Sequence, residues 1–597
     1  MLSRIGVSLL IFSAHAAAAT NAAQITQCVS VDSASVIGNS SSMRPKISPD
    51  GRFVVFDSFA SDLVSDDTNG TSDAFLRDRW TAITERVSVG DDGAQGDTAS
   101  AKPAISADGR YVAFQSRATN LVPGDTNLLS DIFVRDRVRA TTERVSLGDT
   151  GIEAAGDSFA PAISADGRYV AFQSYAANLV PGDTNGFADI FVHDRMNGTT
   201  ERVSVSSEGV QADSTSAHAT ISADGRYVAF HSLATNLVAG DSNDATDVFV
   251  RDRWLGITER VSVASGGAQA NSDSPFATIS ADGRFVAFES AASNLVAGDS
   301  NFTWDVFVHD RETGTTERVS VGPRGAQSDG ASHTPFISAD GSFVTFESDA
   351  TNLVEGDTNG VTDVFVRDRM LGTTVRASVS SNGAQSNGES RNACISNSGR
   401  FIAFESDADD LVADDSNTHA DVFVRDVDAT GFASACWPGV DGVIACPCAN
   451  DPRAPGSGCD NSSATGGAIV SASGVAYLSL DSLVFTTAGE PPNATSILLQ
   501  GDAFAANGAV FGQGVRCASG VLLRLYTKHA VGGSVTAPEL DLGDPSVSAR
   551  SAELGDVIEA GQSRWYSVYY RDPNVVGACS TESTFNATQT GRVAWSD

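Results

Sequence analysis

Basic residues are scarce in this sequence. Lys and Arg number 39 against 74 Asp and Glu, which leaves a formal net charge of -35. Such a surface repels nucleic acid and anionic membranes, so partners of those kinds are excluded. The acidity either serves solubility alone or collects cations. Long apolar runs are missing as well. Ile5 to Phe12 is too short to span a bilayer, and no later stretch approaches the required length. Helical periodicity is absent, and so are the motifs of common chemistries: no Ser/His/Asp set, phosphate loop or zinc motif emerges. His218, His231, His333 and His419 fall at unrelated places without metal-like spacing. A catalytic constellation is therefore not expected.

What is present begins with an export signal. Arg4 supplies a positive start, Ile5 to Phe12 an apolar run, and Ala14 to Ala19 small residues for cleavage, so residues 1–23 read as a signal peptide. A secreted protein, whether extracellular, surface-bound or periplasmic, is expected, and export makes disulfides permissible for its eight Cys. At 597 residues the chain is too long for one core, and its 56 Gly suit turn-rich β structure.

A repeat decides the architecture. The segment Ile47-Ser48-Pro49-Asp50-Gly51-Arg52 recurs with its Ile at 105, 163, 221, 279, 337 and 395, a step of 58 residues each time. Each unit reads as four short strands. Strand a ends at the Ile-Ser pair and Asp-Gly makes a tight turn. Strand b alternates, as in Tyr111 to Ser116, strand c is of the Asp131-to-Asp136 type, and strand d of the Thr84-to-Val89 type. Seven four-stranded units make an all-β, seven-bladed β-propeller over residues 24–430. The strand-d motif is missing near Phe432 but present ahead of the first unit, at Thr26 to Val31. The N-terminal strand is therefore expected to complete the last blade, which removes an open sheet edge.

The Ser-Ala-Asp-Gly-Arg-Tyr-Val-Ala-Phe and Asp-Val-Phe-Val-Arg-Asp segments resemble TolB-type, WD40-like propeller repeats over about residues 24 to 430. The resemblance implies a propeller that serves as an interaction platform. The b–c loop here is longer than in the TolB-type repeat, so TolB's own role in the cell envelope is not carried over.

Antiparallel order places the short a–b and c–d turns on one face and the long b–c and d–a loops on the other, where function usually sits. The b–c loops repeat Asp, Asn and Asp at constant offsets: Asp67/Asn69/Asp73, Asp125/Asn127/Asp131, Asp183/Asn185/Asp189, Asp241/Asn243/Asp247, Asp299/Asn301/Asp305, Asp357/Asn359/Asp363 and Asp415/Asn417/Asp421. Oxygens at alternate positions of a tight loop suit Ca²⁺. The pattern resembles the compact calcium loops of thrombospondin-like and integrin-like repeats. The Gly of such loops stands only at Gly70, Gly186 and Gly360, with Leu128, Asp244, Phe302 and Thr418 elsewhere. Further ligands are expected from the d–a loops at Asn39, Asp97, Asp213, Asn271, Asp329 and Asn387. Asx turns at each strand entrance account for the same residues without a metal. Arg-Asp-Arg at the end of strand c and Glu-Arg on strand d predict cross-strand ion pairs. His193 and His309 occupy an Arg position and read as surface substitutions.

Past Asp426 the repeat stops. Cys436, Cys446, Cys448 and Cys459 mark a Cys-rich linker over 431–460, with Cys517 and Cys579 further on. Three disulfides among these six, in any of fifteen pairings, are expected, whereas Cys28 and Cys394 lie on outer and inner strands of one blade and are not expected to pair. Alternating stretches at Val475 to Leu480, Ser496 to Leu499 and Leu522 to Tyr526 predict a β-sandwich-like domain over 461–597. Cys446-Pro447-Cys448-Ala449-Asn450, Gly458-Cys459-Asp460-Asn461-Ser462 and Trp565 to Asp572 resemble a C-terminal module of secreted bacterial proteins. The expected function is binding of an extracellular protein or glycan on the long-loop face. The alternatives are an extracellular hydrolase or lyase acting on a polymer, and a structural surface component. An enzyme predicts non-repeat polar residues converging on the central channel.

Overall fold

The computed structural model describes residues 26–427 except 371 and 398, and beyond them 432–436, 446, 459, 463, 467–473, 483–511, 513–540, 544–559, 562–572, 585–588 and 590–595. The expected signal peptide, the strand at Val475 to Leu480, and Cys448 and Cys579 lie outside the described residues. Residues 25–428 form one compact unit, and residues 429–597, grouped with 1–24, form another.

The first unit is seven antiparallel sheets of four strands. Its second blade is representative, with strands at Ser100–Ile105, Tyr111–Ser116, Asp131–Asp136 and Thr141–Arg144. Strands b and c are covered on both faces by neighbouring blades, so strand c is almost wholly buried despite its ionisable ends. Each blade stacks one Phe from strand b on one from strand c, as in Phe114 and Phe133 with centroids 5.9 Å apart. Burying such a ring contributes about 1.5–3 kcal/mol, and the pair recurs in all seven blades.

The last sheet is closed as the repeat register requires. Thr26–Cys28 pairs antiparallel with Asp421–Asp426, Cys28 standing opposite Phe423. The Oγ of Ser30 donates to Asp421 Oδ1 at 2.6 Å, tying the first strand of this unit to its last blade across the seam.

Three devices join blades. Adjacent a–b turns share main-chain hydrogen bonds, such as Ala107 N–H to the Ala165 carbonyl at 2.9 Å and Asn397 N–H to Pro49 at 3.0 Å. The arginine after strand c lies over an aromatic ring of the preceding blade, Arg195 being 4.3 Å from the Tyr111 centroid. The same arginines pair with strand-d glutamates of the preceding blade, as in Arg253–Glu201 at 2.6 Å and Arg369–Glu317 at 2.7 Å. Of the expected cross-strand ion pairs, those of the strand-d arginines with strand-c aspartates form within a blade, as in Arg202–Asp189 at 3.4 Å, whereas those of the strand-d glutamates run between blades. The glutamates of these pairs are about half exposed, as Glu201 is at 50%. His193 and His309 also depart from expectation. Both are buried, at 6% exposure, and bond Thr200 and Thr316 as Arg77 bonds Thr84.

The second unit has a six-stranded sheet built around Thr495–Phe511, Gly514–His529 and Ser563–Arg571, and a three-stranded sheet of Ile469–Ser473, Val484–Ala488 and Thr536–Ala537. Phe485 on one sheet and Tyr566 on the other meet in a core with Leu498, Val568 and Trp595. Phe432–Cys436, in the expected linker, is instead a strand paired with Thr590–Ala594. A short helix at Val547–Glu553 was not anticipated. Cys446 and Cys459 form a disulfide, Cys517 is disulfide-bonded, and Cys28 and Cys394 are free and buried.

The a–b turns make a sharp prediction. Gly167 has φ +73, and a Cβ there would fall 2.2 Å from Cδ2 of Tyr111 in the preceding blade. Gly167→Ala should cost about 2–4 kcal/mol, from the left-handed backbone and overpacking together. Gly182→Ala, at φ +78 with nothing within 4 Å, should cost only about 1 kcal/mol. Denaturant melts of the two variants check the difference.

Candidate functional site

The seven acidic loops share one geometry. The last Asp of each triplet opens strand c and has no solvent exposure in any blade: Asp73, Asp131, Asp189, Asp247, Asp305, Asp363 and Asp421 are all at 0%. A strand-d serine donates to one of its oxygens, as Ser204 does to Asp189 at 2.5 Å.

The middle Asn of each triplet, expected to offer an oxygen to Ca²⁺, is instead spent on the loop itself. Asn69, Asn127, Asn185, Asn243, Asn301, Asn359 and Asn417 all turn Oδ1 onto the N–H two residues ahead, making an Asx turn. Asn127 Oδ1 accepts from Leu129 N–H at 2.8 Å, and Asn69 Oδ1 from Thr71 N–H at 3.0 Å. The side-chain amide of each then donates to the buried Asp and to a d–a loop carbonyl. Asn185 reaches Asp189 at 2.9 Å and Ala212 O at 3.1 Å, and Asn243 reaches Asp247 and Ala270 O at 3.0 Å each. Asn301 reaches Asp305 at 3.1 Å and Ser328 O at 3.2 Å, and Asn359 reaches Asp363 at 2.9 Å and Ser386 O at 3.1 Å. Amide hydrogens rather than an oxygen thus face the carboxylate, which is the reverse of what a cation needs. The Asn side chains form the turns and hold the buried Asp.

The residue after Asn is left-handed in every copy, including Leu128 at φ +58, Asp244 at +52, Phe302 at +56 and Thr418 at +60. Glycine is dispensable there, because the Asx turn and the clamped amide hold the backbone whatever the side chain.

Between the two carboxylates of six loops stands a guanidinium from strand d. Arg202 Nη1 lies 3.2 Å from Asp183 and 3.4 Å from Asp189, and Arg376 Nη1 lies 3.0 Å from Asp357 and 2.9 Å from Asp363. Arg144 repeats this with Asp125 and Asp131, Arg260 with Asp241 and Asp247, and Arg318 with Asp299 and Asp305. Arg86 sits further off, at 3.6 Å from Asp67 and 3.8 Å from Asp73. In the second blade Glu153 joins, so that Asp125, Asp131 and Glu153 form a triad with the oxygens of a metal site. Arg144 Nη1 occupies that triad, 2.6 Å from Glu153. Burial pushes the carboxyls of Asp131, Asp189 and Asp247 up, against the pull of their serines and arginines.

The d–a residues expected as ligands stand apart from the triplets. Asp97 accepts from Thr119 N–H and Oγ1 at 2.9 and 2.7 Å, fastening the start of a b–c loop. The d–a contribution to the triplets comes two positions earlier, from Gln95, whose amide reaches Asp67 at 2.8 Å and Asp73 at 3.0 Å. The strand-d arginines and these glutamines were missed. Their signal was constancy at one repeat position, which a strand-pairing argument had assigned elsewhere.

The second site is the channel. Strand a of each blade bulges near its long-loop end, where Arg44, Lys102, Ala160, His218, Phe276, Thr334 and Asn392 take left-handed backbone at φ +45 to +54. A strand-b side chain of the preceding blade caps the bulge N–H: Glu405 accepts from Arg44 at 2.7 Å, Asp57 from Lys102 at 3.2 Å, and Glu347 from Asn392 at 2.9 Å. The bulges line a cavity of about 480 Å³. Repeat symmetry fails here. Arg44, Lys46 and Lys102 bring cations to the first two blades, while His218, His231 and Phe276 cluster at the fourth and fifth with centroids 4.5–6.0 Å apart. Burial pushes His218 down to about 4 and His231 to about 3, so both are neutral at physiological pH. Burial, with Arg44 beside it, also draws the Lys102 ammonium below its ordinary value, and Lys102 makes no ion pair among the described residues. Asp57 is fully buried, and burial lifts its carboxyl to about 6 despite Arg44 Nη1 at 2.8 Å. The bulge positions were also missed. Pro45, Pro103, Pro161 and Pro335, each following a bulge residue in an inner strand, were the available sign.

No family model matches the chain, and no curated protein does. Solved structures are similar in fold. TolB from Acinetobacter baumannii matches at 16% identity and a TM-score of 0.31, over 56% of this chain and 63% of that one. An oligogalacturonate lyase in complex with manganese matches at 13% and 0.40, over 65% and 90%. An acylaminoacyl peptidase from Pyrococcus horikoshii matches at 10% and 0.39, over 62% and 49%.

Two measurements follow. Arg202→Met strands two buried carboxylates and should destabilise the protein by about 3–5 kcal/mol, read in denaturant melts. The second concerns Asp57, which faces Arg44, the Lys102 backbone and Glu405. Its folded pKa exceeds the unfolded value of about 3.9, so the native state holds the extra proton between the two, and stability falls as pH rises from 4 through 6. Asp57→Asn should flatten that fall, which is about 3 kcal/mol; melts across pH 4–8 check it.

Proposed function

We propose that this chain is a secreted or cell-surface binding protein that holds a carboxylate-bearing segment of an extracellular protein or glycan at the long-loop mouth of its propeller channel. The carrying observation is the cationic arc of Arg44, Lys46 and Lys102 inside a channel of a protein with net charge -35. A half-buried ammonium without an ion pair is costly unless an anion meets it. The aromatic group of His218, His231 and Phe276 offers apolar faces to the same ligand. Long loops ring this mouth, as they do at most binding faces built on rigid scaffolds. The Cys446–Cys459 disulfide supports an oxidising location. Among the described residues no helix is long and apolar enough to cross a membrane.

A hydrolase or lyase acting on an extracellular polymer is the second reading. The observation in its favour is Asp57, whose carboxyl near 6 lies among non-repeat cations in the channel. Its oxygens are already engaged, one by the Lys102 N–H and one by Arg44. That favours binding over proton transfer.

The test is a binding screen of the full chain against uronic-acid glycans and acidic peptides, each with neutral counterparts. Capture of carboxylate-bearing ligands should weaken with salt and fall at least tenfold in Lys102→Ala with the melting temperature retained. Equal capture by Lys102→Ala, or no preference for carboxylates, overturns the proposal. Shortening of a bound polymer moves the assignment to the second reading.

A further inference from the structure

The closing blade breaks the charge arrangement of the other six. Its loop has the shared geometry: Asn417 Oδ1 accepts from His419 N–H at 2.8 Å, and Asn417 Nδ2 donates to Asp421 at 2.7 Å and to Gly38 O at 2.8 Å. Its partners differ. The strand-d arginine position, opposite the strand-c Phe in register, is held by Cys28 opposite Phe423 where Arg86 stands opposite Phe75. The d–a position of Gln95 is held by Ile37. One substitution removes the guanidinium and the other the amide.

The consequence is visible at Asp415. Both its carboxylate oxygens are buried and make no hydrogen bond, although the Asn417 backbone N–H lies nearby. Asp421 behind it has no solvent exposure. Among the described residues, no Arg, Lys or His pairs with either carboxylate. The free thiol of Cys28 supplies no positive charge and is no substitute. Two adjacent buried carboxylates without a cation are strongly unfavourable, and the side chain that replaces arginine is several atoms shorter.

We infer that the closing blade binds a single calcium ion between Asp415 and Asp421, in the space that a guanidinium fills in each of the other six blades. The two carboxylates are hard oxygen ligands carrying the ion's full countercharge, and water completes the shell. The site narrows the calcium expectation from seven loops to one and is independent of the channel. Because Ser30 and Cys28 come from the N-terminal strand while Asp415 and Asp421 come from the last blade, the ion sits at the seam of the ring and secures its closure.

The experiment uses the full chain stripped with chelator, titrated with Ca²⁺ by calorimetry and melted with and without the ion. One ion per chain and a melting temperature raised by several degrees are expected. Asp415→Asn should lose at least tenfold in affinity. Cys28→Arg should lose the ion as well, yet melt at the calcium-loaded temperature even in chelator, because it restores the guanidinium. Asp183→Asn, in a loop that has its arginine, should leave calcium binding unchanged. Failure of the native chain to bind Ca²⁺, or binding that persists in both Asp415→Asn and Cys28→Arg, overturns the inference. Loss of the ion in Asp183→Asn overturns its placement in the closing blade.

Discussion

A carboxylate without solvent exposure at the head of strand c is the constraint on which this propeller depends. Each of the seven blades has one, from Asp73 to Asp421. It terminates the b–c loop through Asn, receives the strand-d serine, and stands within reach of the next loop. Its position lets it bind three separate segments at once. Its burial also raises a charge that must be answered. Six blades answer with a guanidinium from strand d, which links b–c loop, strand c and strand d into one charge-balanced unit. A buried ion pair of this kind adds little net stability over an apolar substitute, but removing one partner is severe. The pairing therefore works as a specificity device, enforcing strand-d register and loop conformation together.

Much of this was legible in the sequence. The period of 58 residues, the four strands and the displaced strand d are consequences of alternation and turn chemistry, which are local and repeat without ambiguity. The Asp/Asn/Asp loops were legible as a shared structure, and the Asx-turn reading is realised in every copy. Spacing shows that Asn69 or Asn301 carries an oxygen near two carboxylates; it does not show which end of the amide faces them. The partner of the triplet was hidden too. Arg202 lies 13 residues beyond Asp189, and the choice between a glutamate across the strand and an aspartate in a loop depends on side-chain direction, which period and spacing do not carry. That the loops keep one shape without Gly was hidden for a related reason. Leu128 and Phe302 hold left-handed backbone because hydrogen bonds around them over-determine it.

The channel was the other limit. Its bulges insert a left-handed residue into each inner strand, and strand-b acids such as Glu347 and Glu405 cap the exposed N–H groups of the following blade. Four carboxylates at these positions, Asp57, Glu289, Glu347 and Glu405, thereby have a structural duty. An acidic cluster at a propeller mouth invites a catalytic reading, yet here the geometry engages the acids with backbone N–H groups, and Asp57 with Arg44 as well, and leaves Lys102 lining the cavity.

Repetition itself says where specific chemistry belongs. A group copied around the ring serves the ring, whether as the stacked Phe pair of each blade, an inter-blade Arg–Glu pair or the guanidinium between aspartates of six blades. Departures from the repeat escape that duty. They concentrate at the channel bulges, where Arg44, Lys102, His218 and Phe276 occupy one repeat position, and at the seam, where Cys28 and Ile37 occupy the positions of arginine and glutamine. The seam cannot be a mere lapse of sequence, because the two departures act on the same pair of carboxylates and remove both of their ordinary partners. A strand that must dock late, from the opposite end of the chain, gains from a lock that arrives from solution. An arginine carried by the strand would have to be buried as the ring closes, whereas an ion can enter once Thr26–Cys28 is already paired.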